Sequence, residues 1–112
     1  MHKIRTINNI SSKGLERFPN NDFKVGSDVT DPDAILVRSQ ILTIDDVTPK
    51  LRAVGRAGAG VNNIPVSAYT EKGIVVFNTP GANANAVKEL VMAALLISAR
   101  DIVGGIDYVR NL

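Results

Sequence analysis

Apolar and polar positions alternate along this chain in short blocks of two kinds. Strand-like runs of three to eight residues are separated by segments with helical character. "KIRTINNI" places Ile4 and Ile7 near a first strand, and "SSKGLERF" follows with Ser11 or Ser12 able to cap a short helix. "FKVGSD" is a brief second strand. "AILVRSQ" is continuously apolar from Ala34 to Val37 and stops at Arg38, which makes a third. "LTIDDVTPK" suggests a helical turn entered at Thr43, and "LRAVGRAG" a fourth strand. "IPVSAYTEKG" has Pro65 in the first turn of a helix and Gly73 just past its end. "IVVFNTP" is a fifth strand stopped by Pro80. "NANAVKELVMAALLISAR" is the longest helix, with Asn83 or Asn85 near its cap. The tail "DIVGGIDYVRNL" starts one more helix, weakened by Gly104 and Gly105.

Alternation of strand and helix implies an α/β fold, a parallel sheet of about five strands with helices on both faces. The strands are solid apolar runs, as strands buried on both faces are. The long helix is apolar nearly all round from Leu90 to Ile97, so it is expected to be buried on more than one face. One small sheet covers a single face, leaving the other to a further domain or subunit. Ligands of parallel sheets bind beyond the carboxyl ends of the strands. The residues there are Asn8, Ser27, Arg38-Ser39, Arg56 to Asn63 and Asn78 to Asn85.

Composition narrows the classes. A length of 112 residues fits one small domain, and 45% hydrophobic with 21% charged residues is ordinary for a soluble globular protein. Three Phe, two Tyr and no Trp give no stacking platform for single strands, and a net charge of +2 with scattered Lys and Arg gives no nucleic-acid footprint. The absence of Cys excludes disulfides and thiolate chemistry. The N-terminus is too polar for a signal peptide. The longest wholly apolar run, Leu90 to Ile97, falls far short of the roughly 20 residues of a membrane span, so a cytoplasmic protein is expected.

The strand ends carry the candidate chemistry. Arg38-Ser39 sets a guanidinium beside a hydroxyl, a pair able to clamp a carboxylate or phosphate, though strands also end in surface charge for no such reason. "RAGAGVNN" begins like a dinucleotide loop, Gly-x-Gly-x-x-Gly. Its third slot is Asn63, and the next strand leads into Asn78-Thr79 rather than to an acidic ribose partner. The complete dinucleotide site is therefore rejected. A backbone nest for a carboxylate and a plain tight turn both stay open. Asn83 at the start of the long helix fits either a cap or an anion site. Lys88-Glu89 fits a solvated pair better than an acid/base dyad. His2 is the only histidine, and no nucleophile-base set, metal cluster or phosphate-binding lysine loop is present. By itself the chain reads as a binding half without a general base.

Taken together, "ILVRSQ" and "AVGRAGAGVNNIPVSAYTEKGIVVFNTPGANANAVKELVMAALL" resemble the D-2-hydroxyacid dehydrogenase family, most strongly from Asp33 to Arg100. The resemblance implies a flavodoxin-like substrate-binding domain, present in part. It makes residues 1–97 the N-terminal part of that domain and residues 98–112 the start of a linker helix toward an NAD-binding domain outside this chain. It implies oxidation of 3-phospho-D-glycerate to 3-phosphohydroxypyruvate with NAD, the first step of serine biosynthesis, by a homo-oligomeric enzyme. Arg38 and Ser39 would then lie near the substrate phosphate, with Arg56 adding positive charge. The amides of Ala59 and Gly60 would hold the carboxylate, and Asn83 would hydrogen-bond near the reacting carbon. Ala59 and Val87 would lie against the nicotinamide. Many relatives have Thr where this chain has Ala59, Asp at Asn62 and Ala at Lys88, so a hydroxyl contact is lost at Ala59. No catalytic residue and no metal ligand is expected in this chain, which alone is expected to be inactive. Other D-2-hydroxyacid dehydrogenases, of glycerate or lactate type, share the glycine loop. A free-standing binding or oligomerisation module is the alternative of a different class.

Overall fold

The computed structural model describes residues 1–112, which divide into two compact units, Met1–Pro80 and Gly81–Leu112. The first unit is a five-stranded parallel sheet. Its strands are β1 (His2–Ile7), β2 (Phe23–Gly26), β3 (Ala34–Val37), β4 (Ala53–Arg56) and β5 (Val75–Phe77), in the spatial order β2-β1-β3-β4-β5. That order is the flavodoxin-like one, and it reverses direction between β1 and β3. Two helices belong to this unit, α1 (Ser12–Leu15) and α2 (Val66–Glu71).

The core lies on one face of the sheet. Ile35, Val37 and Val54 point into it and meet Leu42, Leu51, Ile64, Tyr69 and Ile74, all buried. Side chains of a strand alternate between faces, so Leu36 and Gly55 fall on the opposite side. There they line an apolar cleft with Leu15, Phe18 and Phe77. Helices do lie on both faces, but α1 is a single turn and covers little. The expectation of strands buried on both faces therefore fails at this face, and Phe77 on the edge strand is 60% exposed.

Local chemistry explains the connections. Thr43 enters the helical turn Ile44–Asp46 with a reciprocal cap: its hydroxyl accepts from the Asp45 N–H, and the Asp46 carboxylate accepts from the Thr43 N–H at 2.8 Å. Gly73, at φ +76°, ends α2 in the left-handed conformation that glycine adopts without strain. Pro65 sits at the cap position of α2, one residue before the first turn. The Tyr69 hydroxyl donates to the Thr43 carbonyl at 2.7 Å, tying α2 to this turn. Burial, and secondarily the Asp46 charge, hold that phenol above its ordinary pKa. At the other end of the sheet Asp33 accepts from the Lys3 N–H at 2.7 Å. That bond is the main reason its carboxyl lies below the usual carboxylate range.

The second unit holds α3 (Ala84–Ala99) and α4 (Ile102–Arg110), which pack against each other. Asp101 links them at φ +46° and accepts from the Gly104 N–H. The expected burial of α3 on two faces is not met: none of its residues is buried, and Leu90, Leu95 and Leu96 are each more than half exposed. Its apolar composition exceeds what α4 can cover. Asn83 occupies the cap position of α3 but makes no side-chain capping bond, and Asn85 lies inside the helix. No helix is long and apolar enough to cross a membrane.

Tyr69→Phe removes one hydrogen bond from a packed core without changing its shape. It should lower stability by about 1–2 kcal/mol, read as a shift of the urea midpoint at unchanged slope.

Candidate functional site at the carboxyl ends of the strands

The parallel register brings the ends of β1, β3 and β4 side by side. Ile7 pairs with Val37 and Val37 with Arg56, so Asn8, Arg38 and Ala57 begin three adjacent loops. A strand that ends at the centre of a sheet leaves backbone groups that need partners. Side chains supply them here. The Asn8 Oδ1 accepts from the N–H groups of Ser39 at 3.0 Å and Gln40 at 2.9 Å, with a longer contact to that of Arg38 at 3.4 Å. Asn8 itself is left-handed, φ +67°, which asparagine tolerates better than most residues.

Asn63 closes the same turn from the other side. Its Nδ2 donates to the Gln40 carbonyl at 2.8 Å and to the Arg38 carbonyl at 3.2 Å, and the residue is 8% exposed. Its Oδ1 is buried without a partner in the chain. The Asn63 carbonyl in turn accepts from the Leu42 N–H. The third slot of the glycine motif is thus filled by a buried clamp on the neighbouring loop, not merely by the lack of a glycine.

Arg56 is half-buried and turned inward. Its Nε donates to the Arg38 carbonyl at 2.9 Å and its Nη1 to the Gly60 carbonyl. The loop wraps around this side chain: a Cβ at Gly58 would meet the guanidinium carbon at 3.2 Å, and one at Gly60 would meet Nη1 at 3.2 Å. Glycine at these two positions makes room for Arg56. Thr79 and Asn78, at the end of β5, hold the loop's outer side. The Gly58 N–H donates to the Thr79 hydroxyl at 2.8 Å, the Thr79 N–H returns to the Gly58 carbonyl, and the Asn78 Nδ2 donates to the Ala59 carbonyl at 2.9 Å.

What remains free is informative. The N–H groups of Ala59 and Gly60 donate to no other atom of the chain, and neither do those of Val61, Asn62 and Asn63 that follow them. Arg38 and Ser39 are exposed at the same end of the sheet, and the Arg38 guanidinium has no hydrogen-bonded or ionic partner. Arg38, Ser39, Arg56, Ala59 and Gly60 are therefore brought to one end of the first unit. Two backbone donors and one unpaired guanidinium there can take an anion with two negative ends. The Gly58–Asn63 loop does not suit a dinucleotide pyrophosphate. Arg56 fills the space inside it, the Gly58 N–H is occupied by Thr79, and Asn63 is committed to Arg38 and Gln40.

Asn83 and Val87 belong to the second unit, at the start of α3. The Asn83 side chain is unbonded, and Val87 is 49% exposed. Asn85 is taken by Lys88 at 2.6 Å and Glu89 at 3.2 Å within its own helix, which agrees with a solvated polar face there. His2, the only histidine, opens β1 at the amino end of the sheet, opposite the loops just described.

Residue types alone pointed to Arg38, Ser39 and the glycine loop. Asn8 stood among the strand ends but with no assigned task. In the sequence Asn63 stands out only as a departure from a motif, and Thr79 and Asn78 only as the absence of an acid. A shared signal links Asn8, Asn78 and Thr79: a polar side chain just past a parallel strand, where backbone groups of the neighbouring strand's loop need partners.

Residues 6–101 match the family described as D-isomer specific 2-hydroxyacid dehydrogenase, catalytic domain. Over 77 residues, 66% of this chain and 15% of the relative, the chain is 47% identical to D-3-phosphoglycerate dehydrogenase of Methanocaldococcus jannaschii. Over 79 residues, 68% of this chain and 15% of the relative, it is 40% identical to that of Sus scrofa. Among solved structures, NAD+-bound 3-phosphoglycerate dehydrogenase of Entamoeba histolytica superimposes with a TM-score of 0.69 at 28% identity, covering 86% of this chain and 38% of that one. The chain thus spans about 15% of the length of the curated relatives it matches.

The clamp makes a direct prediction. Asn63→Asp replaces a two-proton donor facing two carbonyls with an acceptor. It should cost at least about 3 kcal/mol at pH 7, and less near pH 4 where the carboxyl regains a proton to donate. Chemical denaturation at the two pH values checks both the size and the sign.

Proposed function

The chain belongs to the D-isomer specific 2-hydroxyacid dehydrogenase family, and we propose that it is the N-terminal, substrate-binding portion of a D-3-phosphoglycerate dehydrogenase. In this reading the full enzyme oxidises 3-phospho-D-glycerate to 3-phosphohydroxypyruvate with NAD. Residues 1–97 form part of the substrate-binding domain, and residues 98–112 begin the linker toward the NAD-binding domain. The observation that carries the reading is that the N–H groups of Ala59 and Gly60, the first of a run of unpaired amides, lie at the same end of the sheet as the unpaired guanidinium of Arg38. A phosphorylated 2-hydroxy acid has one carboxylate and one phosphate, and those donors match its two ends.

Each residue then has a task. Ala59 and Gly60 hold the carboxylate through their N–H groups, as preorganised dipoles do at little cost in reorganisation. Arg38 and Ser39 take the phosphate. Arg56 keeps the loop in shape through its bonds to Arg38 and Gly60 and adds positive charge beneath it. Asn83, with no capping bond to make, hydrogen-bonds the substrate near C2. When bound, NAD accepts the hydride leaving C2, and it is held mainly by the absent domain. Ala59 and Val87 offer small apolar surfaces suited to packing on its nicotinamide. The 2-hydroxyl proton goes to a base that is not in this chain, so the chain alone orients substrate and does not turn it over. Orientation of this kind is worth several orders of magnitude in rate.

The exposed apolar side chains of α3 support a full enzyme whose further chain or second copy covers them, in keeping with a homo-oligomer.

Arg38→Ala in the full-length protein tests the assignment. KM for 3-phosphoglycerate should rise at least tenfold, as expected for loss of a charge-assisted contact, while KM for NAD stays within about twofold. Equal rises in both constants would argue against a phosphate role.

A further inference from the structure

We propose that Asn78 is a positioning residue of this site: by holding the Ala59 carbonyl it aims the Gly60 N–H, and with it the carboxylate of the substrate. The inference rests on the reading of the Ala59 and Gly60 amides as the carboxylate end. Three successive carbonyls of the loop carry it, because each has a donor of its own. The Gly58 carbonyl accepts from the Thr79 N–H at 3.0 Å, the Ala59 carbonyl from the Asn78 Nδ2 at 2.9 Å, and the Gly60 carbonyl from the Arg56 Nη1. Every peptide bond of the chain is trans. In a planar trans peptide the carbonyl and the N–H of the next residue point in opposite directions. Fixing the Gly58 carbonyl therefore fixes the Ala59 N–H, and fixing the Ala59 carbonyl fixes the Gly60 N–H. Asn78 and Thr79 both follow the last residue of β5, so each of these N–H groups is turned away from that strand end.

The two bonds from the end of β5 differ in what makes them. The bond to Gly58 comes from the Thr79 main chain, and any residue but proline supplies it there. The bond to Ala59 comes from a side chain and needs an N–H donor of the reach of asparagine. The Thr79 hydroxyl does not stand in for it, because it is already engaged: it accepts from the Gly58 N–H at 2.8 Å and donates to the Arg56 carbonyl at 3.2 Å. Without Asn78 the peptide joining Ala59 to a glycine has no donor on its carbonyl, and the freedom of Gly60 lets its N–H swing off the ligand. A donor on that carbonyl also polarises the peptide and strengthens its N–H. Asn78 and Ala59 are both exposed, so their bond adds little to folding stability, unlike the buried clamp of Asn63. Its effect falls on binding.

Asn78→Ala and Asn78→Asp in the full-length protein test this. Asn78→Ala removes the donor and should leave Tm within about 2 °C of the parent. KM for 3-phosphoglycerate should rise about threefold or more, while kcat and the KM for NAD stay within about twofold, the pattern of a contact made equally in ground and transition states. Asn78→Asp keeps the shape but sets a carboxylate against the Ala59 carbonyl. It should raise the KM for 3-phosphoglycerate further, and the excess over Asn78→Ala should shrink at about 0.5 M salt as screening sets in. A smaller rise in Asn78→Ala, or an equal rise in its KM for NAD, overturns the inference and leaves the proposed function standing. If Asn78→Ala does not fold, an Asn78→Asp enzyme with parental KM for 3-phosphoglycerate overturns it equally. A parent enzyme that does not oxidise 3-phosphoglycerate overturns the proposed function, and this inference with it.

Discussion

The Arg38 carbonyl is the point on which the functional end of the sheet depends. It lies where a central strand stops, and it takes hydrogen bonds from Arg56 and from Asn63 together. No strand or helix pairs this carbonyl, and side chains do so instead. Three side chains from other segments close the turn around it: Asn8 on its amides, Asn63 on its carbonyls and Arg56 beneath. Because Arg56 is drawn in, a Cβ at position 58 or 60 would crowd its guanidinium at 3.2 Å, and glycine there avoids that. Thr79 takes the Gly58 N–H, and the N–H groups from Ala59 to Asn63 are left without a partner in the chain. The free donors of the site are thus the remainder of an internal accounting. That accounting also explains why two arginines at similar strand ends differ, one braced inside and one open to solvent.

Much of this was legible in the sequence where local physics decides. The apolar run Ala34 to Val37 is strand β3, residue for residue, because a central strand covered by α2 and its neighbours is built from such residues. Thr43 and Gly73 behave as their chemistry requires, one capping a turn and the other taking a positive φ. The order of the strands is the flavodoxin-like one that the family resemblance implies. What was not legible depends on long-range pairing. Asn63 works across more than 20 residues on Arg38 and Gln40, and a motif template treats that slot only as glycine or not. Asn83 holds a cap position without a capping bond, which sequence position alone does not reveal. The long helix is apolar in sequence, yet none of its residues is buried here, because periodicity reports how much surface needs covering and not what covers it.

The division of labour follows from the same geometry. The first unit leaves backbone N–H groups and one guanidinium unpaired at the carboxyl end of its sheet, and its one histidine sits at the opposite end. Binding and orientation are what these residues can provide, and in a dehydrogenase that contribution is large. The exposed apolar faces of the uncovered sheet side and of α3 belong to the same picture. They are surfaces this stretch of sequence leaves uncovered.

A crystal structure of the full-length protein with 3-phosphoglycerate tests the central claim most directly. The account predicts the carboxylate oxygens within about 3 Å of the Ala59 and Gly60 nitrogens and the phosphate on Arg38 and Ser39, with Asn8 still on the Ser39 and Gln40 amides. A carboxylate bound away from the Ala59–Gly60 amides, or a phosphate held in the place of the Asn8 side chain, would contradict it.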